Sequence, residues 1–113
     1  METKSVLAAL AALAQDSRLA VFRLLVQAGP QGMAATRISE QLDIPPSSLS
    51  FHLKELAHAN MVTAAKDGRS IIYAANFATM NGLLGFLTEN CCGGNPCSAV
   101  CTPACGPTAA GAA

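Results

Sequence analysis

Cysteine is missing from most of this chain. The first 90 of its 113 residues contain none, and five cysteines follow. A small secreted domain stapled by disulfides would carry cysteines through its body, usually in even number. The odd number of cysteines and their absence from residues 1–90 argue against a disulfide framework. They favour a reducing compartment, so we expect a cytoplasmic protein.

Net charge and long apolar runs are absent too. Seven basic residues balance seven acidic ones, so a basic surface for nucleic acid would have to be local. No apolar run approaches the roughly 20 residues that span a bilayer, and we expect no membrane association. Lys4 and the apolar residues 6–14 resemble a secretory signal. Leucines spaced three apart, Leu7, Leu10 and Leu13, favour an amphipathic helix instead.

Catalytic groupings are also lacking. No Cys/His pair or carboxylate pair falls in a plausible shared pocket, so we expect neither an enzyme nor a required cofactor. His52 and His58 are six residues apart, which places them on different faces of a helix, where they cannot hold one ion together.

Apolar side chains make up 51% of the chain, with no tryptophan and one tyrosine, so an aliphatic core is expected. Helical spacing predicts five helices, at about residues 5–14, 17–28, 34–42, 47–59 and 76–90. Between the last two, residues 61–66 and 70–75 are strand candidates around a turn at 67–69. The fold class is mainly α with a small β-hairpin, a winged helix-turn-helix.

Two regions follow from this pattern. Residues 1–90 are predicted to form one folded domain, the winged helix-turn-helix. Residues 91–113, rich in Gly, Pro, Ala and Cys, are predicted to form a flexible tail.

The fourth helix has a buried stripe at Leu49, Leu53 and Leu56, so its polar residues must face outward. The second helix of a helix-turn-helix can enter the major groove, where hydroxyl and basic side chains contact phosphates and base edges. A polar face that only caps and solvates the helix is the alternative. The candidate DNA-binding residues are Ser47, Ser48, Ser50, His52 and Lys54 on the helix, with Lys66 and Arg69 beside the hairpin tip.

Residues 38–44 and 46–56, which include Ser48-Leu49-Ser50-Phe51-His52-Leu53, resemble the ArsR/SmtB family of metalloregulatory repressors. Residues 16–19 and 68–73 are similar to it as well. The resemblance covers about residues 5–90. It implies a homodimer joined through its first and last helices, which binds operator double-stranded DNA and releases it when an ion binds.

Family members differ in where the ion binds. The family's Cys-x-Cys site on the third helix is missing from residues 34–43, and the last helix offers Glu89 but no histidine. The resemblance therefore leaves the tail thiols, and thiolates select soft ions. The ligands expected are Cys91, Cys92 and Cys97, with Cys101 and Cys105 as spare or substitute donors. The inducer expected is As(III) or Sb(III); methylarsenite stays open, since two thiols might suffice for it.

Other functions remain open at this point. Four cysteines could bind zinc or cadmium, although adjacent Cys91 and Cys92 fit poorly with the usual spacing of two to four residues. Tail disulfides could make a redox-responsive repressor of the same fold. A soft-metal carrier without DNA binding, or idle tail thiols, would need neither the hairpin nor the serine-faced helix.

Overall fold

The computed structural model describes residues 1–94 of the chain. They form two compact units, Met1–Leu83 and Leu84–Ala113, the second described as far as Gly94. The winged helix-turn-helix is confirmed, with one short strand more than the sequence predicted. The elements are α1 (Thr3–Leu13), α2 (Asp16–Ala28), β1 (Met33–Ala34), α3 (Ala35–Leu42), α4 (Pro46–His58), β2 (Val62–Asp67), β3 (Ser70–Ala75) and α5 (Phe77–Leu87).

The core of the first unit is aliphatic and lies between α2, α3 and α4. The predicted stripe of α4 is confirmed, because Leu49, Leu53 and Leu56 are all buried. Ile38 of α3 is fully buried as well. The remaining core side chains come mainly from α1, α2 and the start of β2: Val6, Ala9, Ala12, Val21, Phe22, Leu25, Met61 and Val62.

The first helix is an integral part of this unit. Its buried side chains are small, Val6, Ala9 and Ala12, which lets α1 approach its neighbours closely. At its end, Arg18 Nε donates a hydrogen bond of 2.7 Å to the carbonyl of Ala12, one of the last-turn acceptors that a helix leaves unsatisfied. The N-terminal residues thus form a helix, as the leucine spacing favoured, but Val6, Ala9 and Ala12 form its buried face, and Leu7 and Leu10 are exposed.

Among residues 1–94, no single helix is long and apolar enough to cross a bilayer. The helices α1 and α2 reach the required length and composition only together, across a bend of 103°.

The predicted hairpin is confirmed as β2 and β3, and β1 extends it to a three-stranded antiparallel sheet. The strand order is β1-β3-β2, with Met33 opposite Tyr73 and Ala64 opposite Tyr73 on the other side. Gly32 leads into β1 with φ at +75°, and a methyl group on it would overlap the Tyr73 carbonyl oxygen. Glycine is therefore required where the chain enters β1.

The fifth helix ends earlier than the sequence predicted, at Leu87 rather than at residue 90. The Thr88 hydroxyl donates a hydrogen bond of 2.8 Å to the Leu84 carbonyl, and Asn90 has a left-handed backbone with φ at +58°. A left-handed residue cannot continue a right-handed helix. At the other end, the Asn76 side chain accepts from the Thr79 N–H at 3.2 Å, so Asn76 caps α5 rather than opening it.

Candidate nucleic-acid interface and thiol pair

The turn between α3 and α4 is short and fixed by hydrogen bonds. Asp43 lies in the left-handed region, and the Ile44 N–H donates to the Ser39 carbonyl at 3.1 Å. The Ser39 hydroxyl donates back to the Ile44 carbonyl at 2.6 Å. Three residues between two helices are the usual length in a helix-turn-helix. The paired bonds to Ser39 therefore hold the angle at which α4 is presented.

The outward face of α4 is polar and begins at an uncapped helix end. Pro46 occupies the first turn, where its missing N–H is harmless. In the part of the chain that the structure describes, no side chain caps this N-terminus. The amide groups of the first turn can therefore receive an anion such as a phosphate. The predicted contact residues with exposed side chains on this helix are Ser47, Ser48, Ser50 and Lys54.

His52 differs from these four residues because its side chain is half-buried. Its Nδ1 is buried and finds no hydrogen-bond partner within residues 1–94. The ring of Phe51 lies against it edge to face, with centroids 5.7 Å apart and planes at 64°. In this conformation Nδ1 is not available to DNA, so a phosphate contact from His52 would have to use the rest of the ring.

The hairpin tip presents the two predicted cations. Asp67 is opposite Ser70, which leaves Gly68 and Arg69 as a two-residue turn, so Asp67 belongs to β2 and not to the turn. Gly68 has φ at +64°, as expected for glycine at the first position of a tight hairpin turn. Lys66 and Arg69 are both exposed. The tip is therefore free of packing constraints that would hold these side chains back from a DNA backbone.

The second unit brings two of the five predicted ligands together. The sulfur atoms of Cys91 and Cys92 are 3.4 Å apart, well beyond the roughly 2.05 Å of a disulfide bond. Cys92 and Gly93 both have left-handed backbone angles, in a short 3-10 turn over Cys91–Gly94. This reversal allows adjacent side chains to point the same way.

The other predicted ligands, Cys97, Cys101 and Cys105, lie outside the described residues. Among residues 1–94, no group of three His, Cys, Asp or Glu side chains is arranged to hold a metal ion. A third sulfur ligand beside the vicinal pair would therefore have to come from outside the described residues.

Phe51 is not among the contact residues predicted from the sequence. Its side chain is 55% exposed on the outward face of α4. Helical spacing could have found it, because Phe51 is two residues from Leu49 and two from Leu53, or about 200° around the helix from each.

The fold and this interface define a winged helix-turn-helix transcription regulator. A family model described as a helix-turn-helix domain matches residues 13–63. The arsenical resistance operon repressor of Bacillus subtilis (strain 168) is 36% identical over 81 residues, which is 72% of this chain and 73% of that protein. The chain belongs to the ArsR family.

Solved structures agree on the architecture. An ArsR-like transcriptional regulator from Rhodococcus sp. RHA1 superposes with a TM-score of 0.68 at 24% identity, over 76% of this chain and 78% of that one. The AntR antimony-specific transcriptional repressor superposes with a TM-score of 0.61 at 25% identity, over 76% of this chain and 77% of that one.

Proposed function

We propose that the protein is an arsenic(III)-responsive repressor in the cytoplasm. As a homodimer it binds operator DNA through α4 and the hairpin. It dissociates when trivalent arsenic or antimony binds the thiolates of Cys91, Cys92 and Cys97. The main support for this choice of inducer is the vicinal pair Cys91 and Cys92, whose sulfur atoms lie 3.4 Å apart in the residues after α5. The similarity to an arsenical resistance repressor and to an antimony-specific repressor supports the same ion class.

The number and spacing of the thiols favour a pyramidal ion over a tetrahedral one. Zinc prefers four donors in a tetrahedron, and adjacent Cys91 and Cys92 fit poorly with the usual spacing of its cysteine ligands. An ion held by three thiolates, with a lone pair in the fourth direction, needs one sulfur beyond the Cys91 and Cys92 pair, whose sulfur atoms are in contact at 3.4 Å. Cys97 is our candidate for the third thiolate, and Cys101 or Cys105 could replace it. Two thiols alone would match methylarsenite, which carries a methyl group in the third position.

DNA recognition is assigned to the exposed side chains of one face. Ser47, Ser48 and Ser50 are short donors near the uncapped start of α4, which favours phosphate approach. Lys54, Lys66 and Arg69 provide exposed positive charge along α4 and at the hairpin tip. The chain has no net charge, so these three side chains provide a local basic surface for DNA.

Release of DNA requires that ion binding and operator binding oppose each other. Cys91 follows the last residue of α5 by four positions. We propose that an ion bound there restrains the end of α5, a dimer helix in our account, and so shifts the spacing of the two recognition helices. A coupling of about 1–3 kcal/mol would weaken operator binding about 5–150-fold.

The DNA-binding half of the proposal is tested on a duplex that the full-length protein enriches from a random pool. Loss of the Ser50 hydroxyl should cost about 1 kcal/mol per protomer, so Ser50→Ala should weaken dimer binding about 30-fold. His52→Ala should weaken it too. Dissociation constants are measured by fluorescence anisotropy, and dimerisation by sedimentation.

Ser5→Ala is the matched control, because Ser5 is an exposed serine on α1. It should bind the duplex as the unmodified protein does. Equal affinity of Ser50→Ala, His52→Ala and Ser5→Ala would contradict the recognition helix. A protein that enriches no duplex but binds arsenite would instead be a soft-metal carrier.

A further inference from the structure

An apolar ring lies in the middle of the polar face assigned to DNA. On a helix, the surface neighbours of Phe51 are three and four positions away: Ser47, Ser48, Lys54 and Glu55. The buried stripe of α4 lies on the opposite side, with Leu49 and Leu53 both 2% exposed. Phe51, at 55%, has no part in that stripe.

Packing among residues 1–94 does not account for this ring. α4 is anchored by three leucines without it, and single exposed apolar residues are common on protein surfaces. What distinguishes Phe51 is its place, on the second helix of a helix-turn-helix and between hydroxyl and ammonium groups. Its ring makes an edge-to-face contact with His52, which favours this orientation of the exposed ring.

The ring has no donor or acceptor with which to bind a phosphate or a polar base edge. In the major groove of a duplex, the one apolar group on a base edge is the 5-methyl group of thymine. Serine and lysine side chains of the same face do not recognise a methyl group. A phenyl ring at this position can therefore read a feature that its polar neighbours cannot.

We propose that Phe51 packs on the 5-methyl group of a thymine in each operator half-site and so specifies thymine there. This inference rests on the proposed binding of operator DNA by α4. Uracil pairs as thymine does but lacks the methyl group, so thymine-to-uracil replacement removes only the contact in question.

The experiment is a thymine-to-uracil scan of the duplex enriched by the full-length protein. Each symmetric pair of thymines is replaced in turn, and dissociation constants are compared for the unmodified protein and Phe51→Ala. Burial of one methyl group corresponds to about fourfold in affinity, so one pair of positions should weaken binding by the unmodified protein about 4- to 15-fold. For Phe51→Ala, the same replacement should change affinity less than twofold.

Leu19→Ala is the control variant, because Leu19 is a large apolar residue, 44% exposed, on α2. It should keep the full sensitivity to uracil. The comparison uses a ratio of affinities within each variant, so a change in dimerisation cancels.

Equal sensitivity to uracil in the unmodified protein and in Phe51→Ala would overturn the inference. So would a scan in which no thymine pair matters to the unmodified protein, even if Phe51→Ala could not be purified. In both cases the duplex is still bound specifically, and the proposed function stands. Failure to enrich any duplex would refute operator binding itself, together with this inference.

Discussion

At the scale of single residues, our account of DNA binding depends on local positive charge and not on the net charge of the chain. The chain has no net charge, yet Lys54, Lys66 and Arg69 are exposed on α4 and the hairpin. DNA binding releases counterions in proportion to the phosphates neutralised, so the dependence of affinity on salt counts the cations in contact. Three such cations per protomer would give a dimer about six contacts with phosphates.

Arg69→Ala should flatten this dependence. Each neutralised phosphate contributes about 0.9 to the slope of log K against log salt, so loss of two arginines per dimer should reduce its magnitude by about 1.8. The measurement is operator affinity at salt concentrations from about 50 to about 300 mM, a range over which this slope can be determined. Arg23→Ala, which removes an exposed arginine from α2, should leave the slope unchanged. An equal change in both variants would show that only bulk charge matters.

At the scale of elements, the hairpin is supported by a third strand. β1 consists of Met33 and Ala34 alone, and it pairs with β3 on the side away from β2. Its entry depends on Gly32, which has a left-handed backbone and faces the Tyr73 carbonyl. The pairing of β1 with β3 thus depends on one glycine outside the hairpin, Gly32.

Gly32→Ala should destabilise the fold more than Gly68→Ala does. Both glycines have positive φ, so each substitution incurs backbone strain of about 1–2 kcal/mol. An alanine at Gly32 also overlaps backbone, whereas nothing lies within 4 Å of an added methyl at Gly68. We expect an excess loss of at least about 1 kcal/mol for Gly32→Ala. Urea unfolding at equal protein concentration measures both, and equal losses would contradict the close approach.

The limits of sequence reasoning also lie at this scale. The long helices and the hairpin follow from apolar spacing, as the buried Leu49, Leu53 and Leu56 show. A strand of two residues is too short to show alternating apolar and polar residues, so β1 could not be predicted from the sequence. The end of α5 was overestimated because Thr88 and Asn90 stop the helix through local hydrogen bonding and backbone angle, which apolar spacing does not report.

The candidate site was predictable in part for similar reasons. Polar residues on α4 could be placed outward once its leucines were placed inward. The burial of His52 Nδ1 depends on packing that the spacing does not contain. The close approach of the Cys91 and Cys92 sulfurs depends on the left-handed backbone of Cys92, a conformation uncommon for any residue but glycine.

At the scale of the whole molecule, we propose that a partner subunit covers the exposed leucines of α1 and α5. Leu7 and Leu10 on α1 are 61% and 39% exposed, one turn apart on a face that the first unit leaves uncovered. On α5, Leu84 and Leu87 are 48% and 56% exposed. The family resemblance implies dimerisation through the first and last helices, which would bury these side chains.

Leu7→Glu should weaken the dimer. Burial of a leucine stabilises by about 1.5–3 kcal/mol, and a symmetric interface contains it twice, so the dissociation constant should rise on the order of 100-fold or more. Analytical ultracentrifugation measures this. Leu19→Glu introduces the same charge at an exposed leucine of α2 and should leave the dimer intact. A Leu7→Glu protein that dimerises like the unmodified one would place the interface elsewhere.

Arsenite titration of the protein–operator complex, followed by fluorescence anisotropy, tests the central claim most directly. Arsenite should release DNA from the unmodified protein, with affinity falling about 5–150-fold, and zinc should not. Each cysteine is replaced by serine in turn. Only variants that bind the operator as tightly as the unmodified protein before arsenite is added are compared. Release should be lost for Cys91→Ser and Cys92→Ser, weakened for Cys97→Ser, where Cys101 or Cys105 can supply a substitute thiolate, and kept for Cys101→Ser and Cys105→Ser. Release by arsenite from a protein in which the first three cysteines are all serine would contradict the account.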